Sequence, residues 1–593
     1  MCTMHKLPLG VDNFHKMVTG GYLFCDKTAM LSEFFSKGDD VTLITRPRRW
    51  GKTLNMSMLH HFFSPEVNGI STAGLFDNLA ISQIEGGCWV KSHQGQHPVI
   101  MLSFKDIKSD DFSGAYDSIY LLLKKLYGSF EYLLESDKLN SDERYEFHSI
   151  LSRSSNEKQL EQSLLLLSTC LYRHYGKKVY ILIDEYDSPL NKAYGNQDYL
   201  DRLVNFMRNL FSPCLKGNDA LAKGVLTGIL RVSKDSILSG LNNLETYTLL
   251  DEDYSSHFGF SETEVKFLLK EQGLSIDFEE VKSWYNGYRV GDKVMYNPWS
   301  ILSCMNRSGK FDVYWVNTGN NDLIKRSILK SNSGIKCQFE RLMQGASIVV
   351  PIDKHLSFDL LDRNEIAFWS LLLFAGYLKF DQCNLSTYND LYDCTVRVPN
   401  QEVLRLYNRF FSEWFVEQFE EESQYSSFLS HLIKGDVVEF VQELSDYLFK
   451  SASMFDVQAP RKSEGFYHVF VLAMLASLGH THYIKSNRES GRGRYDVLII
   501  SKKGTKAILL EFKYVRREEE LAEKAKNAWH QIQTQGYRTE LQTYPNVQEV
   551  VEVGLAFSKK YVQSAYTVYD LVNKRSGVLQ LTDPYNPDEW YDG

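Results

Sequence analysis

An arginine-rich segment that ends in Gly-Lys-Thr has the residue types needed to bind nucleotide phosphates. Backbone N–H groups at a strand-to-helix turn can surround phosphate, a lysine can reach the β- and γ-phosphates, and a hydroxyl can bind Mg²⁺. The usual first glycine of such a loop is replaced here by an arginine, and a basic surface turn is the alternative interpretation. The residues expected to contact ATP are Arg46, Pro47, Arg48, Arg49, Trp50, Gly51, Lys52 and Thr53.

Two acids at the end of an apolar run, VYILID followed by Glu185, could complete that site. Burying carboxylates at the end of a strand is costly unless they face a metal ion or solvent. In a hydrolytic site, Asp184 would hold Mg²⁺ together with Thr53, and Glu185 would polarise the attacking water. The alternative is a strand that simply ends in solvated acids.

A second set of residues, Asp496, Glu511 and Lys513, has the spacing of a D…ExK nuclease core. Alternation along a strand places Glu511 and Lys513 on the same face. Two carboxylates could hold Mg²⁺ against a scissile phosphate while the lysine positions or deprotonates the water. The segment SGRGR just before Asp496 is basic and glycine-rich, so Arg492 and Arg494 are expected to contact a nucleic-acid backbone. The alternative is an exposed strand end with ordinary surface charges.

The elements that must position the first site are apolar runs without alternation, as in a parallel sheet covered on both faces. The sequence predicts strands over Val41–Thr45, His97–Phe104, Lys178–Ile183 and Gly224–Ile229, and a helix over Thr53–Phe63. For the second site it predicts a hairpin of strands 496–500 and 506–512, followed by a helix over 518–536. The fold class is therefore α/β.

Length and composition fit several folded domains. The 593 residues exceed what one core of about 100 to 200 residues holds, and the composition, 43% hydrophobic and 24% charged, excludes disordered, collagen-like and coiled-coil classes. We expect a P-loop domain (1–245), a helical lid or winged-helix-like region (246–350), a helical connector (351–455) and a nuclease-like domain (456–593). The formal charge of −9 confines any nucleic-acid surface to a local patch.

No basic stretch followed by an apolar run opens the sequence, and no apolar stretch approaches the ~18 residues of a membrane-spanning helix. We therefore expect a cytoplasmic protein without a membrane partner. The nine scattered cysteines form no CxxC pair and are expected to be free thiols.

Six ordered segments resemble the bacterial AAA-ATPase-like family, whose members often carry a C-terminal PD-(D/E)XK nuclease domain. They are YLFCDKT (22–28), RPRRWGKT (46–53), IDEYDSP (183–189), TGILRVSKDSILSGLNNL (227–244), WYNGYR (284–289) and YNPWS (296–300).

The resemblance implies an ATP- and Mg²⁺-dependent protein in which RPRR-x-GK-[ST] is the family's own phosphate loop. It places Thr227 at the end of a sensor strand, Glu464 as a further metal-binding acid and Gln531 near the nuclease site. Tyr495 stands where the nuclease superfamily usually has proline.

The leading hypothesis is an ATPase that controls or powers a Mg²⁺-dependent nuclease acting on nucleic acid, most plausibly DNA. The main alternative is a nucleotide-dependent sensor or scaffold whose nuclease-like domain binds without cutting. A phosphotransferase is disfavoured because it would leave the D…ExK segment without a role. A homo-oligomer, as formed by AAA-type relatives, and a monomer both stay open.

Overall fold

The computed structural model describes residues 6–231, 237–238, 240–315, 324, 327–328, 333–343, 345–355, 364–418, 422–450, 471, 474–475, 478, 481–490, 493–559 and 561–584. The chain divides into two compact units. The first comprises Met1–Lys330 and Ser347–Val403, and the second comprises Ser331–Ala346 and Leu404–Gly593. The division into four domains stays a prediction. The two units are described separately.

A five-stranded parallel sheet forms the centre of the first unit. Its strands are β1 (Val41–Thr45), β2 (Val99–Ser103), β3 (Val179–Asp184), β4 (Leu221–Gly228) and β5 (Leu244–Tyr247), in the spatial order β2-β3-β4-β1-β5. Every residue of β1 and β3 is buried, as expected for apolar runs covered on both faces. The predicted α/β class is confirmed. Because the strands are parallel, their carboxyl ends meet at one edge of the sheet.

Helices surround this sheet and connect its strands. The phosphate-loop helix follows β1 directly, as predicted, and begins at Lys52. The α-helices around the sheet are Phe14–Thr19, Met30–Ser36, Lys52–Phe63, Cys88–His93, Phe112–Gly128, Ser141–Ser152, Glu157–Glu161, Ser163–Tyr175, Ser188–Ala193 and Gln197–Leu215. Two 3₁₀ segments, Ala80–Gly87 and Glu131–Glu135, and a short hairpin, Glu66–Val67 with Ile70–Ser71, complete this part.

The lid segment, defined here as residues 246–315, consists of short helices and strands, and its strands were not among the predicted elements. It has a small antiparallel sheet and three helices that share one apolar core. The sheet strands, in spatial order, are Phe260–Ser261, Lys293–Tyr296 and Tyr288–Val290, and the helices are Glu262–Glu271, Phe278–Tyr285 and Pro298–Asn306.

Residues 348–403 also belong to the first unit and are only partly helical. The buried helix Glu365–Phe374 is accompanied by an antiparallel sheet of Ile348–Ile352, Tyr392–Arg397 and Lys379–Leu385, which the sequence analysis did not anticipate. Cys383 and Cys394 face each other across this sheet, with Cα atoms 4.1 Å apart, and are joined by a disulfide. The expectation that every cysteine is a free thiol was therefore wrong for this pair.

The second unit combines helices with a largely antiparallel sheet. Its main strands are β6 (His482–Ser490), β7 (Gly493–Ser501), β8 (Lys506–Tyr514), β9 (Glu549–Ser558) and β10 (Tyr561–Asp570), in that spatial order. Only the β8–β9 pair is parallel. Strands β7 and β8 are the predicted hairpin. The short strands Arg575–Ser576 and Gln580–Leu581 pair with β10.

Helices cover both faces of this sheet. One face packs against helices Glu422–Lys434 and Val437–Lys450 through a large apolar core. The other face carries helix Leu521–Gln535, flanked by the 3₁₀ segments Glu518–Glu520 and Tyr537–Thr543. Helix Ser333–Met343 and most of helix Gln401–Gln418 complete the unit. Within the described residues, no helix is both long and apolar enough to cross a bilayer.

Candidate nucleotide and nuclease sites

The phosphate loop turns sharply between β1 and its helix. Arg49 and Gly51 both have left-handed backbones, with φ of 65° and 83°, a conformation that suits glycine far better than arginine. The buried Lys52 ammonium bends back over the loop and donates to the carbonyl oxygens of Arg46 at 3.0 Å and Pro47 at 2.9 Å. Burial lowers the pKa of Lys52, while the nearby carboxylates favour its charged form. These two hydrogen bonds to backbone oxygens hold the Lys52 side chain across the loop.

Asp184 ends β3 and collects three hydroxyl groups. Thr53 donates to its Oδ2 at 2.8 Å, Thr227 to its Oδ1 at 2.5 Å and Ser103 to its Oδ2 at 3.4 Å. The three donors come from the loop helix, β4 and β2, so they fix the carboxylate at the edge where the strands end. Hydroxyl and carboxylate oxygens are ligands that Mg²⁺ prefers. Thr53 and Asp184 therefore fit a magnesium site, and Ser103 is a supporting residue that the sequence analysis missed.

Glu185 lies next to this cluster on a strained turn. Its φ is 51°, so a non-glycine residue adopts the left-handed region directly after the strand. Burial raises the pKa of the Glu185 carboxyl, and the nearby Lys52 ammonium opposes that rise. A carboxylate with a raised pKa accepts a proton more readily than an ordinary glutamate does. Glu185 is thereby suited to polarise a water beside the phosphate loop.

One cavity of about 660 Å³ joins these groups. Lys52, Thr53 and Glu185 line it together with Arg48, Arg49, Trp50 and Gly51. Its remaining wall includes apolar residues from the N-terminal segment and the loop helix, among them Val11, Phe24 and Met58. A volume in the range of ligand sites, lined by both charged and apolar side chains, suits a nucleoside triphosphate.

Arg46 does not line this cavity, although it was predicted to contact the nucleotide. Its side chain is fully buried and donates to the carbonyl oxygens of Thr45 at 2.8 Å, Thr248 at 2.9 Å and Tyr247 at 3.2 Å. Burial lowers the pKa of the Arg46 guanidinium to about 10, so the group stays charged at neutral pH. Arg46 thus ties the start of the loop to the chain that follows β5.

The lid segment and helix Gln401–Gln418 hold the rest of the loop. Asn297 and Trp315 donate to the carbonyl oxygen of Arg48 at 3.3 and 3.2 Å, and the Arg49 guanidinium lies 4.3 Å from the centre of the Trp299 ring. Glu402 is buried and accepts hydrogen bonds from the backbone N–H of Trp315 at 2.8 Å. The sequence predicted no role for these four residues, Asn297, Trp299, Trp315 and Glu402, although the first two lie within YNPWS.

Asp496 and Glu511 lie side by side on β7 and β8. Asp496 Oδ2 accepts a hydrogen bond from Phe512 N at 2.7 Å, and the backbone N–H of Asp496 points to Glu511 Oε2 at 3.4 Å. The Glu511 side chain is almost fully buried, and Lys513 Nζ lies 3.7 Å from Glu511 Oε1. The structure therefore brings the D…ExK residues together. Two adjacent carboxylates next to a lysine fit a Mg²⁺-assisted hydrolytic site.

Gln531 and Tyr537 form one side of this cluster. Gln531 Nε2 donates to the Tyr537 hydroxyl at 3.2 Å, and burial together with the charges of Glu511 and Asp496 raises the pKa of Tyr537. Tyr537 follows the turn at Gly536, and no pattern in the sequence marks it as a site residue. Its hydroxyl is a neutral donor close to the carboxylates.

Three predicted nuclease-site residues cannot be placed. Glu464 and Arg492 lie outside the described residues, and only the backbone of Arg494 is described. Within the described part of the chain, no group of three or more His, Cys, Asp or Glu side chains could hold a metal ion. Asp496 and Glu511 are the predicted metal-binding residues of this site that the structure describes.

Two family models match segments of this chain. Residues 8–238 match the family described as "Predicted AAA-ATPase", and residues 462–566 match the PD-(D/E)XK nuclease superfamily. The chain is also 24% identical over 539 residues to the "Uncharacterized protein in vnfD 5'region" of Azotobacter chroococcum mcd 1, covering 90% of this chain and 93% of that protein. The chain therefore carries one segment that matches the predicted AAA-ATPase family and a second segment that matches the PD-(D/E)XK nuclease superfamily.

Proposed function

We propose that this protein hydrolyses ATP in its first unit and thereby controls a Mg²⁺-dependent nuclease in its second unit that cuts DNA. The observation that carries the proposal is the presence of two separate clusters, each joining carboxylates to a lysine. One cluster is Asp184, Glu185 and Lys52 beside a nucleotide-sized cavity, and the other is Asp496, Glu511 and Lys513 on a sheet.

In the first cluster, the loop N–H groups and Lys52 would bind the phosphates of ATP, while Thr53 and Asp184 would hold Mg²⁺. A bound Mg²⁺ would neutralise charge on the phosphate oxygens. Glu185 would take a proton from water as the water oxygen bonds to the γ-phosphorus. The bond to the bridging oxygen would break with its electron pair leaving on ADP, and the proton would finally pass to the products.

In the second cluster, Asp496 and Glu511 would hold Mg²⁺ beside a backbone phosphate. Lys513 lies next to Glu511, where it could orient the attacking water and offset negative charge on the phosphate. The water would give up a proton to solvent as its oxygen bonds to phosphorus, and the strand would break as one ester oxygen leaves with the bonding electrons and takes up a proton. The raised pKa of Tyr537 would keep its hydroxyl protonated and able to donate to a nearby oxygen.

The proposed function also implies a cellular location and binding partners. The resemblance to a bacterial ATPase family and to the nuclease superfamily supports a cytoplasmic protein that acts on nucleic acid. DNA is favoured over RNA by the resemblance to the nuclease superfamily. A homo-oligomer is compatible with the ATPase family, and the function proposed here does not require one.

The decisive experiment compares purified wild-type protein with Lys513→Ala in Mg²⁺. Duplex, single-stranded and branched DNA, and RNA, are each incubated with ATP, a non-hydrolysable analogue or no nucleotide. We expect wild type to cut DNA at a nucleotide-dependent rate, and Lys513→Ala to lose cleavage by about 100-fold or more while retaining ATP turnover. The exposed Lys526→Ala is the matched control, since that lysine lies on the covering helix.

Two results would contradict the proposal. Cleavage by Lys513→Ala at the wild-type rate would remove the second cluster from the chemistry. Binding of nucleic acid by wild type without any cleavage, under all three nucleotide conditions, would favour a nucleotide-dependent sensor or scaffold.

A further inference from the structure

We infer that Arg48 and Arg49 supply, from within the same chain, the positive charge that stabilises the transition state of ATP hydrolysis. This inference rests on the proposed ATPase function and assigns a part of it that many ATPases obtain from a neighbouring subunit or a separate protein. It implies that the reaction centre of one chain is complete without a second copy.

Both arginines border the cavity that Glu185 also lines. They line it together with Lys52, Thr53 and Glu185. Each interacts electrostatically with the Glu185 carboxylate, which is the group suited to polarise water. A guanidinium near that carboxylate and near the phosphate loop is within the region where the γ-phosphate must react.

The loop sorts its three arginines into two roles. Arg46 is completely buried, and its guanidinium donates hydrogen bonds to backbone carbonyl oxygens. It is therefore unavailable to a ligand. Arg48 is partly exposed and Arg49 is exposed, and both face the cavity. Of the three loop arginines, Arg46 therefore stabilises the fold, whereas Arg48 and Arg49 are placed to contact a ligand in the cavity.

The same chain holds the backbone of Arg48 and the guanidinium of Arg49. The Arg48 carbonyl oxygen accepts hydrogen bonds from Asn297 Nδ2 and Trp315 Nε1, and the Arg49 guanidinium stacks 4.3 Å from the Trp299 ring centre. Arg49 also keeps a left-handed backbone, with φ of 65°, that a non-glycine residue adopts only when its surroundings hold it there. Such strain is common where a group is positioned before the reaction.

The chemistry requires a cation at this place. As the bond to the leaving ADP oxygen breaks, negative charge accumulates on that oxygen and on the γ-phosphoryl oxygens. Positive groups that are already oriented stabilise this charge without reorganising, and an arginine in this role accelerates hydrolysis by about 10³- to 10⁵-fold. Lys52 provides one positive charge. Arg48 and Arg49 provide the further positive charge that other ATPases obtain from a neighbouring subunit or a separate protein.

The test uses full-length Arg48→Gln, Arg49→Gln and the double variant. We expect the double variant to hydrolyse ATP at least about 10²-fold more slowly than wild type, with a nucleotide Kd within about tenfold of wild type. Arg202→Gln is the matched control, because Arg202 also stacks on an aromatic ring, 4.1 Å from the centre of Phe112, outside the cavity lining. Its hydrolysis rate should equal that of wild type. Thermal unfolding checks that each variant is folded.

A mixing experiment distinguishes an arginine of the same chain from one donated by a neighbour. The double arginine variant is mixed with Glu185→Gln, which keeps both arginines but lacks the proton acceptor. We expect the mixture to stay as inactive as its components. Recovery of hydrolysis on mixing, or a wild-type rate in the double variant, would overturn the inference. If wild type itself binds but does not hydrolyse ATP, the proposed function falls and this inference falls with it.

Discussion

At the scale of single residues, the hydroxyl of Thr53 links the phosphate loop to the acidic end of β3. It donates to Asp184 at 2.8 Å, and the other oxygen of the same carboxylate accepts from Thr227. The carboxylate is therefore oriented before any metal ion binds, with one oxygen beside the loop. A ligand set arranged in this way loses little freedom when Mg²⁺ and nucleotide arrive.

This geometry predicts that Thr53→Ala weakens ATP binding only when Mg²⁺ is present. The variant loses a metal-binding hydroxyl and leaves Asp184 with one donor fewer, which costs about 1 to 3 kcal/mol, or roughly 10- to 100-fold in affinity. Titrations with a fluorescent ATP analogue, with Mg²⁺ and with EDTA, measure the difference. Thr53→Ser keeps the hydroxyl and should stay near wild type. Equal weakening in EDTA would argue against a metal ligand at Thr53.

Glu402 gives a prediction about pH. Burial raises the pKa of this carboxyl to about 7, although hydrogen bonds from Trp315 N, Ser300 Oγ and Tyr314 N oppose the rise. Since the pKa in the unfolded chain lies near 4.3, the unfolded state releases this proton first as the pH rises. The folded first unit should lose stability between about pH 4.5 and 7, by about 4 kcal/mol at most, and lose no more above that range.

The measurement is the melting temperature of wild type relative to Glu402→Gln between pH 5 and 8. Glutamine keeps an oxygen acceptor but does not titrate, so the advantage of wild type over the variant should shrink towards pH 7 and then level off. Glu131→Gln, at an exposed position, controls for a general charge effect. A constant difference across the range would show that Glu402 does not titrate there.

At the scale of elements, helix Leu521–Gln535 carries Gln531 to the nuclease cluster, and one glycine sets its distance from the sheet. Gly554 on β9 lies opposite Glu511 on β8. A Cβ atom built at Gly554 would overlap the backbone nitrogen of Trp529 and the carbonyl oxygen of Ala525. The helix backbone therefore rests directly on the strand, and Gln531 reaches Tyr537 because of that close approach.

We predict that Gly554→Ala pushes the helix away from β9 and lowers nuclease activity without changing ATP hydrolysis. Overpacking of this kind typically costs about 1 to 3 kcal/mol, so the melting temperature of the second unit should also fall. Gly504→Ala is the control, because its added methyl meets only the Ser501 side chain in the β7–β8 turn. Full nuclease activity in Gly554→Ala would mean that the helix position does not matter for cleavage.

The elements that the sequence predicted well are those with one strong local signal. Strands β1 and β3 are continuous apolar runs, and the β7–β8 hairpin is two such runs around a polar turn. Strand Lys379–Leu385 reads KFDQCNL and buries only Phe380 fully, so neither an apolar run nor strict alternation marks it. Its pairing with Tyr392–Arg397 depends on tertiary contacts that a local pattern does not contain.

The same limit applies to the sites. Lys52, Thr53, Asp184, Asp496, Glu511 and Lys513 were found because their spacing is itself the signal. The direction of the Arg46 side chain could not be found in this way, since its partner Thr248 lies 202 positions further along the chain. Tyr537 was missed for the same reason, because it reaches the carboxylates only after the chain has turned at Gly536.

At the scale of the whole molecule, the two candidate sites lie in two compact units of one chain. The acidic formal charge of −9 does not prevent action on nucleic acid if the contact surface is local. A nuclease controlled by nucleotide would respond to which nucleotide is bound, because a ligand can shift a conformational equilibrium only by binding one state better than another.

Glu185→Gln tests this control directly. The amide cannot take the proton from water, so the variant should bind ATP with normal affinity and hydrolyse it at least about 100-fold more slowly. Its DNA cleavage rate in ATP should then equal the rate that wild type shows with a non-hydrolysable analogue. The opposing outcome is that the variant, with ATP bound, cleaves DNA at the rate of nucleotide-free wild type. That result would show that ATP bound to the first unit does not control cleavage by the second.

Helix Gln401–Gln418 has a practical consequence for work with separate pieces of this protein. Glu402, in its first turn, belongs to the first unit, whereas the residues from Leu404 onward belong to the second. A fragment that stops before residue 401 would contain the whole phosphate loop but lack the carboxylate that receives the Trp315 N–H. A fragment that starts at residue 404 would lack Ser331–Ala346. Dissecting the chain by such cuts would therefore damage both halves, and point substitutions in the full-length protein are the better way to silence one activity at a time.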